Sequence, residues 1–265
     1  DQVRNNFQGY VQTIDFLIRE ISMKYSVSRV YLSGFSYGAR MAFEYALLRS
    51  VQGVIMCGAG PSVNSYEELP CPVFMIAGTT DFNFSETYYD PFKRSAESKL
   101  ISDYFRGFHE WPPAEMLNEG LLFLMGNTIP GGDDLLKLKS SGLIKKADSL
   151  LTHKDVFIAL KAIELALLFD PQNAMAKKRW EEFKNNPGNL GKIVKIESDL
   201  MLENRIKQAY AEASMTKDST WWFNEMKQLS LEIENNTAEQ KDHFLRIKAF
   251  LGILFYSRLN ALIQT

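Results

Sequence analysis

A serine between two glycines is the residue best placed to do chemistry, in the run Gly-Phe-Ser-Tyr-Gly at residues 34–38. The apolar run at 30–33 is typical of a short buried strand, and residues 39–46 have the apolar spacing of a helix. A serine on such a sharp turn has its hydroxyl pushed clear of the sheet, and we interpret the flanking glycines as positions where a Cβ would collide with the neighbouring strand and helix. Ser36 is therefore the candidate nucleophile, and the backbone N–H of Tyr37 at the start of the helix is the candidate oxyanion donor.

A serine nucleophile needs a base, and the sequence contains three histidines. His153 and His243 lie in polar helical stretches, which indicates solvated positions. His109 differs from them, because it follows a strand-like segment at 103–108 and precedes a turn with two prolines. A histidine on a loop directly after a strand can reach across the carboxyl edge of a sheet, so His109 is the candidate base.

The carboxylate that would orient this base follows an almost wholly apolar run at 72–78, which is typical of a strand buried on both faces. Asp81 lies just past the end of that run. Because ligand sites of open parallel sheets form beyond the carboxyl ends of the strands, Asp81 is the candidate acid, and Asp90 beside a proline is the alternative. A functional triad would place the Ser36 Oγ about 2.6–3.5 Å from a ring nitrogen of His109.

These residues resemble the C-terminal part of the α/β-hydrolase superfamily, whose order of nucleophile, acid and base they follow. Gly-Thr-Thr-Asp at 78–81 resembles the motif that carries the acid in dienelactone-hydrolase-like and carboxylesterase-like members. Phe-Arg-Gly-Phe-His-Glu-Trp-Pro at 105–112 resembles the Gly-x-His-x-Trp-Pro loop of esterases related to polyhydroxybutyrate depolymerases and feruloyl esterases, with Phe108 where that group commonly has a second glycine. The resemblance covers roughly residues 1–126 and implies a serine esterase without a cofactor.

The resemblance also implies strands that this sequence does not contain. The family has four strands before the segment that leads to the serine turn, and they bring the second oxyanion donor. This chain starts at Asp1 with a helix-like stretch and reaches its first strand at about residue 29. We therefore expect a fragment of the fold whose first strand has an open edge, and we expect a partner or self-association to cover that edge.

Strands and helices alternate over residues 1–130, whereas residues 131–265 contain only long amphipathic stretches. The expected fold class is α/β: a parallel sheet of an α/β-hydrolase lacking its N-terminal strands, with right-handed crossovers, followed by an all-α domain. In the first domain we predict strands at 29–34, 53–57, 73–78 and 103–108, and helices at 4–25, 38–49, 85–99 and 113–126. In the second we predict helices at 136–151, 154–169, 173–185, 189–213, 218–234 and 237–263.

One part of the helical domain, near residues 140–173, resembles a tetratricopeptide repeat. Residues 162–173 read Ala-Ile-Glu-Leu-Ala-Leu-Leu-Phe-Asp-Pro-Gln-Asn, in which alanines let two antiparallel helices approach closely and a proline ends the second helix. Only one repeat matches, so an ordinary helical bundle is the alternative. The resemblance implies a surface that binds a peptide, a protein or a second copy.

Composition narrows the classes of partner. The 30 basic and 32 acidic residues give a formal net charge of −2, which does not favour binding to nucleic acid or to an anionic membrane surface. No apolar run reaches the roughly twenty residues of a membrane span, and two cysteines without ligand clusters predict neither a disulfide framework nor a metal site. We expect a hydrolase of carboxylic esters that works through an acyl-enzyme. A non-catalytic scaffold and a peptidase of the same superfamily are the alternatives.

Overall fold

The computed structural model describes residues 2–61, 69–90, 92, 99–126 and 129–263, and for 2–6 and 238–240 it describes the backbone alone. The strands are β1 (Tyr31–Phe35), β2 (Gly53–Cys57), β3 (Val73–Gly78) and β4 (Leu100–Phe105). The helices are α1 (Gln2–Lys24), α2 (Tyr37–Leu48), α3 (Phe84–Thr87), α4 (Ala114–Met125), α5 (Gly132–Thr152), α6 (Val156–Phe169), α7 (Ala174–Lys184), α8 (Pro187–Thr216), α9 (Ser219–Asn235) and α10 (Ala238–Ile263). The protein is therefore a mixed α/β structure followed by a helical part.

The four strands form one parallel sheet in the order β1-β2-β3-β4. Side chains alternate between its two faces: Val54 and Met56 join an apolar cluster with α1 and α2, whereas Ile55 and Cys57 join a cluster that extends into α5–α8. Helices cover both faces, which explains the continuous apolar runs of the inner strands. Among the described residues β1 pairs only with β2, so it is an edge strand.

Two predicted elements of the sheet part differ from the structure. Strand β4 begins at Leu100, three residues before the predicted 103–108, because Leu100 and Ile101 pair in register with β3. The predicted helix at 85–99 is a single turn, α3, after which Tyr88 has extended backbone. A proline at 91 disfavours helical backbone at the residue before it, which limits this helix; residues 91 and 93–98 of the prediction lie outside the described part.

The helical part follows the predicted stretches, from α5 to α10. Helices α5 and α6 pack closely through Ala147, Ala159 and Ala166, which are completely buried. The Ser140 hydroxyl on α5 donates a hydrogen bond to the Ala166 carbonyl on α6 (2.8 Å), and Asn173 caps α7 by accepting two backbone N–H groups. The small side chains thus allow the close approach that the sequence predicted, while the tetratricopeptide resemblance stays a prediction.

The sheet part and the helical part share one apolar core. The predicted boundary lies one residue before the start of α5, yet the cluster on one face of the sheet continues into α5–α8. The rings of Phe84 and Tyr104 lie 5.8 Å and 4.9 Å from the ring of Phe157 on α6. The helical part is therefore packed directly against the carboxyl end of the sheet. Within the described residues, no helix is both long enough and apolar enough to cross a membrane.

Candidate active site

Ser36 occupies a strained turn between β1 and α2. Its backbone has φ 55° and ψ −119°, a conformation that costs a residue with a side chain on the order of 1–3 kcal/mol. Two hydrogen bonds hold the turn: the Ser36 N–H donates to the Cys57 carbonyl on β2 (2.7 Å), and the Ser36 carbonyl accepts the N–H of Ala39 (3.0 Å). The turn directs the side chain away from the sheet at its carboxyl edge, as the sequence predicted.

The two glycines that flank the turn have different roles. A Cβ on Gly34 would run into the backbone carbonyl of Gly38, so the close approach of β1 and α2 requires glycine at position 34. A Cβ on Gly38 would meet no atom within 4 Å, and the φ of this residue is not positive. The prediction that both glycines prevent a collision is therefore correct for Gly34 and wrong for Gly38.

Ser36, His109 and Asp81 meet in one chain of hydrogen bonds. The Ser36 Oγ lies 2.8 Å from Nε2 of His109, and Nδ1 of His109 lies 2.9 Å from Oδ2 of Asp81. The Asp81 carboxylate is fully buried, whereas the imidazole is partly exposed. A carboxylate accepts only, so Nδ1 carries the proton that is donated to Asp81 and Nε2 accepts the serine proton. All three predicted residues are therefore brought together in a geometry that allows proton transfer from the serine.

The loop after β3 holds Asp81 through a short polar network. Oδ1 of Asp81 also accepts the backbone N–H of Asn83 (2.8 Å), and the Asn83 side-chain amide donates to the Gly58 carbonyl after β2 (2.8 Å). The Thr80 hydroxyl donates to the Gly107 carbonyl in the loop that carries His109 (2.6 Å). Asn83 was not among the predicted site residues, although an aspartate followed by asparagine two residues later is a turn signal.

The alternatives for the acid and the base lie elsewhere. Asp90 uses Oδ1 to accept the backbone N–H of Phe92 (2.9 Å) and does not replace Asp81 at the imidazole. His153 is exposed at the end of α5, as predicted. The prediction that His243 is solvated is wrong, because its ring is buried beside the carboxylate of Glu203. Polar neighbours in sequence concealed this position, since the buried face of α10 itself carries charged residues.

Aromatic side chains surround the imidazole. The ring of His109 lies 4.7 Å from that of Phe35 and 4.4 Å from that of Phe82, and Phe35 also stacks on Trp111 (5.3 Å). These contacts limit rotation of the imidazole. Trp111, which stacks on Phe35, and Tyr37, which follows Ser36 in the chain, are more than half exposed, so aromatic surface is accessible near the site.

Two further groups bear on the chemistry near the serine. Tyr37 is the first residue of α2, where no preceding turn supplies a carbonyl for its N–H, and the positive end of the helix lies at the same place. Burial raises the pKa of the Cys57 thiol to about 12, so this thiol stays protonated near neutral pH. Of the Cys57 thiol and the Ser36 hydroxyl, only the hydroxyl has an adjacent base, the imidazole of His109.

The helical part contacts the loops that carry the acid and the base. A cavity of about 310 Å³ lies between the two parts and is lined by Thr79 and Phe84 on one side and by α6, α8 and α10 on the other. Beside it lies a buried group of charged residues, Glu203, Lys207 and Arg246, that sequence reasoning missed. They are far from Asp81 in the chain, so no local pattern could have associated them with the site.

Comparison of the chain with models of known protein families, with curated proteins and with solved structures finds no significant match.

Proposed function

We propose that the protein is a serine hydrolase that cleaves carboxylic esters through an acyl-enzyme on Ser36. The observation that carries the proposal is the unbroken path from the Ser36 hydroxyl to the His109 imidazole (2.8 Å) and on to the buried Asp81 carboxylate (2.9 Å). A scaffold has no need for a strained serine turn or for three loops that converge on one imidazole, so this geometry favours catalysis over the scaffold alternative.

Acylation begins with attack of the Ser36 Oγ on the ester carbonyl carbon, while the hydroxyl proton passes to Nε2 of His109. The carbonyl electron pair moves onto oxygen, and the Tyr37 N–H stabilises this oxyanion by about 3 kcal/mol, the value typical of one donor. The oxyanion then reforms the carbonyl and expels the alkoxide, which takes the proton from Nε2. The alcohol leaves, and the acyl group stays on Ser36.

Deacylation repeats these steps with water as the nucleophile. Nε2 of His109 takes a proton from water, the new oxygen–carbon bond forms, and the Ser36 Oγ leaves and regains its proton. In both halves Asp81 keeps the imidazole in the tautomer that can accept at Nε2 and stabilises the imidazolium that forms. No step requires a metal or a cofactor.

A burst experiment with 4-nitrophenyl acetate tests the proposal. We expect steady turnover of the ester by the wild type. If deacylation is slower than acylation, a rapid burst of one equivalent of 4-nitrophenolate per active site should precede it. Ser36→Ala should reduce turnover to the background rate. Ser33→Ala changes a nearby serine of β1 and serves as the matched control. Equal turnover by Ser36→Ala and the wild type would contradict the proposal.

The same assay separates an esterase from a peptidase. The triad can in principle serve either substrate class, but an amide has a poorer leaving group than an ester and depends more on protonation of the departing nitrogen. We expect turnover of the ester and none of 4-nitroacetanilide, the matched amide. Turnover of 4-nitroacetanilide at a rate similar to that of the ester would assign the protein to the peptidase alternative.

A further inference from the structure

Two buried cationic side chains from the helical part donate hydrogen bonds to the loop that carries Asp81. Arg246 on α10 donates from Nη1 to the Thr79 carbonyl (2.8 Å), and Lys207 on α8 donates from Nζ to the Phe82 carbonyl (2.6 Å). Thr79 and Phe82 flank Asp81 on its two sides. The loop is thus held at both ends by groups from outside the sheet.

One carboxylate pairs with both cations. Oε2 of Glu203 lies 2.7 Å from Nε of Arg246, and Oε1 lies 2.6 Å from Nζ of Lys207. Glu203 is completely buried, and Arg246 and Lys207 are 5% and 8% exposed. The Arg246 guanidinium also lies 4.7 Å from the ring centre of Phe84, the first residue of α3. We name Glu203, Lys207 and Arg246 the loop clamp.

The arrangement suits positioning better than it suits stability. A buried ion pair gives little net stability, because desolvation of the charges offsets their attraction. Charge-assisted hydrogen bonds to carbonyls are short and directional, so they fix where the loop backbone lies. Because the backbone carbonyls on both sides of Asp81 are fixed, the position from which its side chain extends toward His109 is fixed as well.

The loop that carries the base is tied to the same helix. Arg106, three residues before His109, forms a two-pronged ion pair with Asp155 at the start of α6 (2.9 Å for each nitrogen) and a further bond to Asp242 on α10 (2.6 Å). Asp242 and Arg246 are four residues apart and therefore share one face of α10. One helical face thus contacts both the base loop and the acid loop.

We propose that the loop clamp is a set of positioning residues that keep Asp81 within hydrogen-bond distance of His109. The helical part then belongs to the catalytic unit itself. This inference rests on the proposed function for its effect on rate, but the distance between Asp81 and His109 can be tested without catalysis.

The test compares Arg246→Met with Arg179→Met, a matched control in the same helical part. Arg179 also pairs with two carboxylates, Asp148 and Glu182, and in the described structure these are its ion pairs. Two quantities are measured on each folded variant. One is the rate at which a fluorophosphonate labels Ser36, and the other is the downfield proton resonance of the His109 Nδ1–H, assigned by its loss in His109→Gln.

We expect Arg246→Met to label Ser36 roughly 100-fold more slowly, as is typical when a reacting group is displaced by about 1 Å. The downfield resonance should broaden or disappear, because the proton loses its fixed acceptor. Arg179→Met should match the wild type in both quantities. Arg246→Lys retains the charge and should recover part of the labelling rate.

If Arg246→Met does not fold, Lys207→Met removes the other hydrogen bond to the acid loop. The labelling rate and the downfield resonance of that variant then test the positioning role. Persistence of the downfield resonance at wild-type intensity in the folded clamp variant overturns the positioning role. A wild type that shows the resonance but never labels at Ser36 overturns the proposed hydrolase function and leaves the clamp in place, provided that the clamp variant loses the resonance. A wild type without the resonance overturns the clamp.

Discussion

The turn that carries Ser36 and the loop that carries Asp81 are held in different ways. The turn itself and the adjacent strand hold the serine: a glycine lets β1 and α2 approach, and the Ser36 N–H donates a hydrogen bond to Cys57 on β2. The acid loop has some bonds of its own, but its two flanks accept hydrogen bonds from Lys207 and Arg246, more than 120 residues away. The nucleophile is thus positioned locally, whereas the acid depends on how the whole chain packs.

The largest expected effect tests whether the acid loop supplies the working carboxylate. Asp81→Asn should lower the rate of ester hydrolysis by roughly 10⁴-fold, because an amide in place of the carboxylate favours the tautomer that cannot accept the serine proton. Asp90→Asn, the matched control, should hydrolyse the ester at the wild-type rate. A larger loss for Asp90→Asn than for Asp81→Asn would reverse the assignment.

The second effect tests how much the stability of the fold around the acid loop depends on the buried charge of Glu203. Glu203→Gln leaves Arg246 and Lys207 without their buried counter-charge, which should lower the free energy of unfolding by about 3 kcal/mol. Burial alone would raise the pKa of Glu203, but the neighbouring His243, Arg246 and Lys207 outweigh burial and hold this pKa below its ordinary value of 4.5.

The sign of the pH dependence follows from that lowered pKa. Glu203 contributes its stability above pH 4.5 and loses it as the pH falls through the folded-state value. Chemical denaturation should therefore show a difference between wild type and Glu203→Gln that is largest near neutral pH and shrinks in acid. A difference that stays constant down to pH 3 would contradict the role of the charge.

The third effect tests whether the serine turn is held locally. Gly34→Ala should lower the free energy of unfolding by about 1–3 kcal/mol, since the added methyl group overlaps the Gly38 carbonyl. Gly38→Ala adds the same group in open space within a helix and should be neutral or slightly stabilising. Thermal unfolding of the pair decides the matter. Equal losses for the two variants would show that the close approach is not what requires glycine.

The smallest effect provides a contrast for Glu203. Asp103 on β4 is a buried carboxyl, and burial raises its pKa. The negative charge of Glu164 raises this pKa further. The charges of Lys146 and Lys161 and a hydrogen bond from the Tyr104 N–H lower the pKa but do not offset burial. Glu119 also lies close enough to interact with Asp103.

A raised pKa means that Asp103 favours the folded state below its ordinary value of 3.8 and that this contribution is lost as the pH rises. Asp103→Asn should therefore be more stable than the wild type near neutral pH, with the gain vanishing near pH 3. Denaturation curves at several pH values measure it. A gain that grows in acid would contradict the raised pKa.

The sequence predicted the local features of the site and missed the distant ones. The turn at Ser36, the strand before Asp81 and the loop at His109 each have a local pattern of apolar runs, glycines and prolines. The clamp has none, because Glu203 and Lys207 look like an ordinary pair on a solvated helix until the helix is packed against the sheet. The helix predicted at 85–99 was too long: α3 ends at Thr87, and Phe84 at its start packs against Tyr104 on β4 and Phe157 on α6.

Mass spectrometry of the protein after reaction with a fluorophosphonate tests the central claim most directly. The wild type should carry one covalent adduct, on the peptide that contains Ser36, and Ser36→Ala should carry none. An adduct on another residue, or no adduct on a wild type that is folded and shows the His109 resonance, would contradict the account.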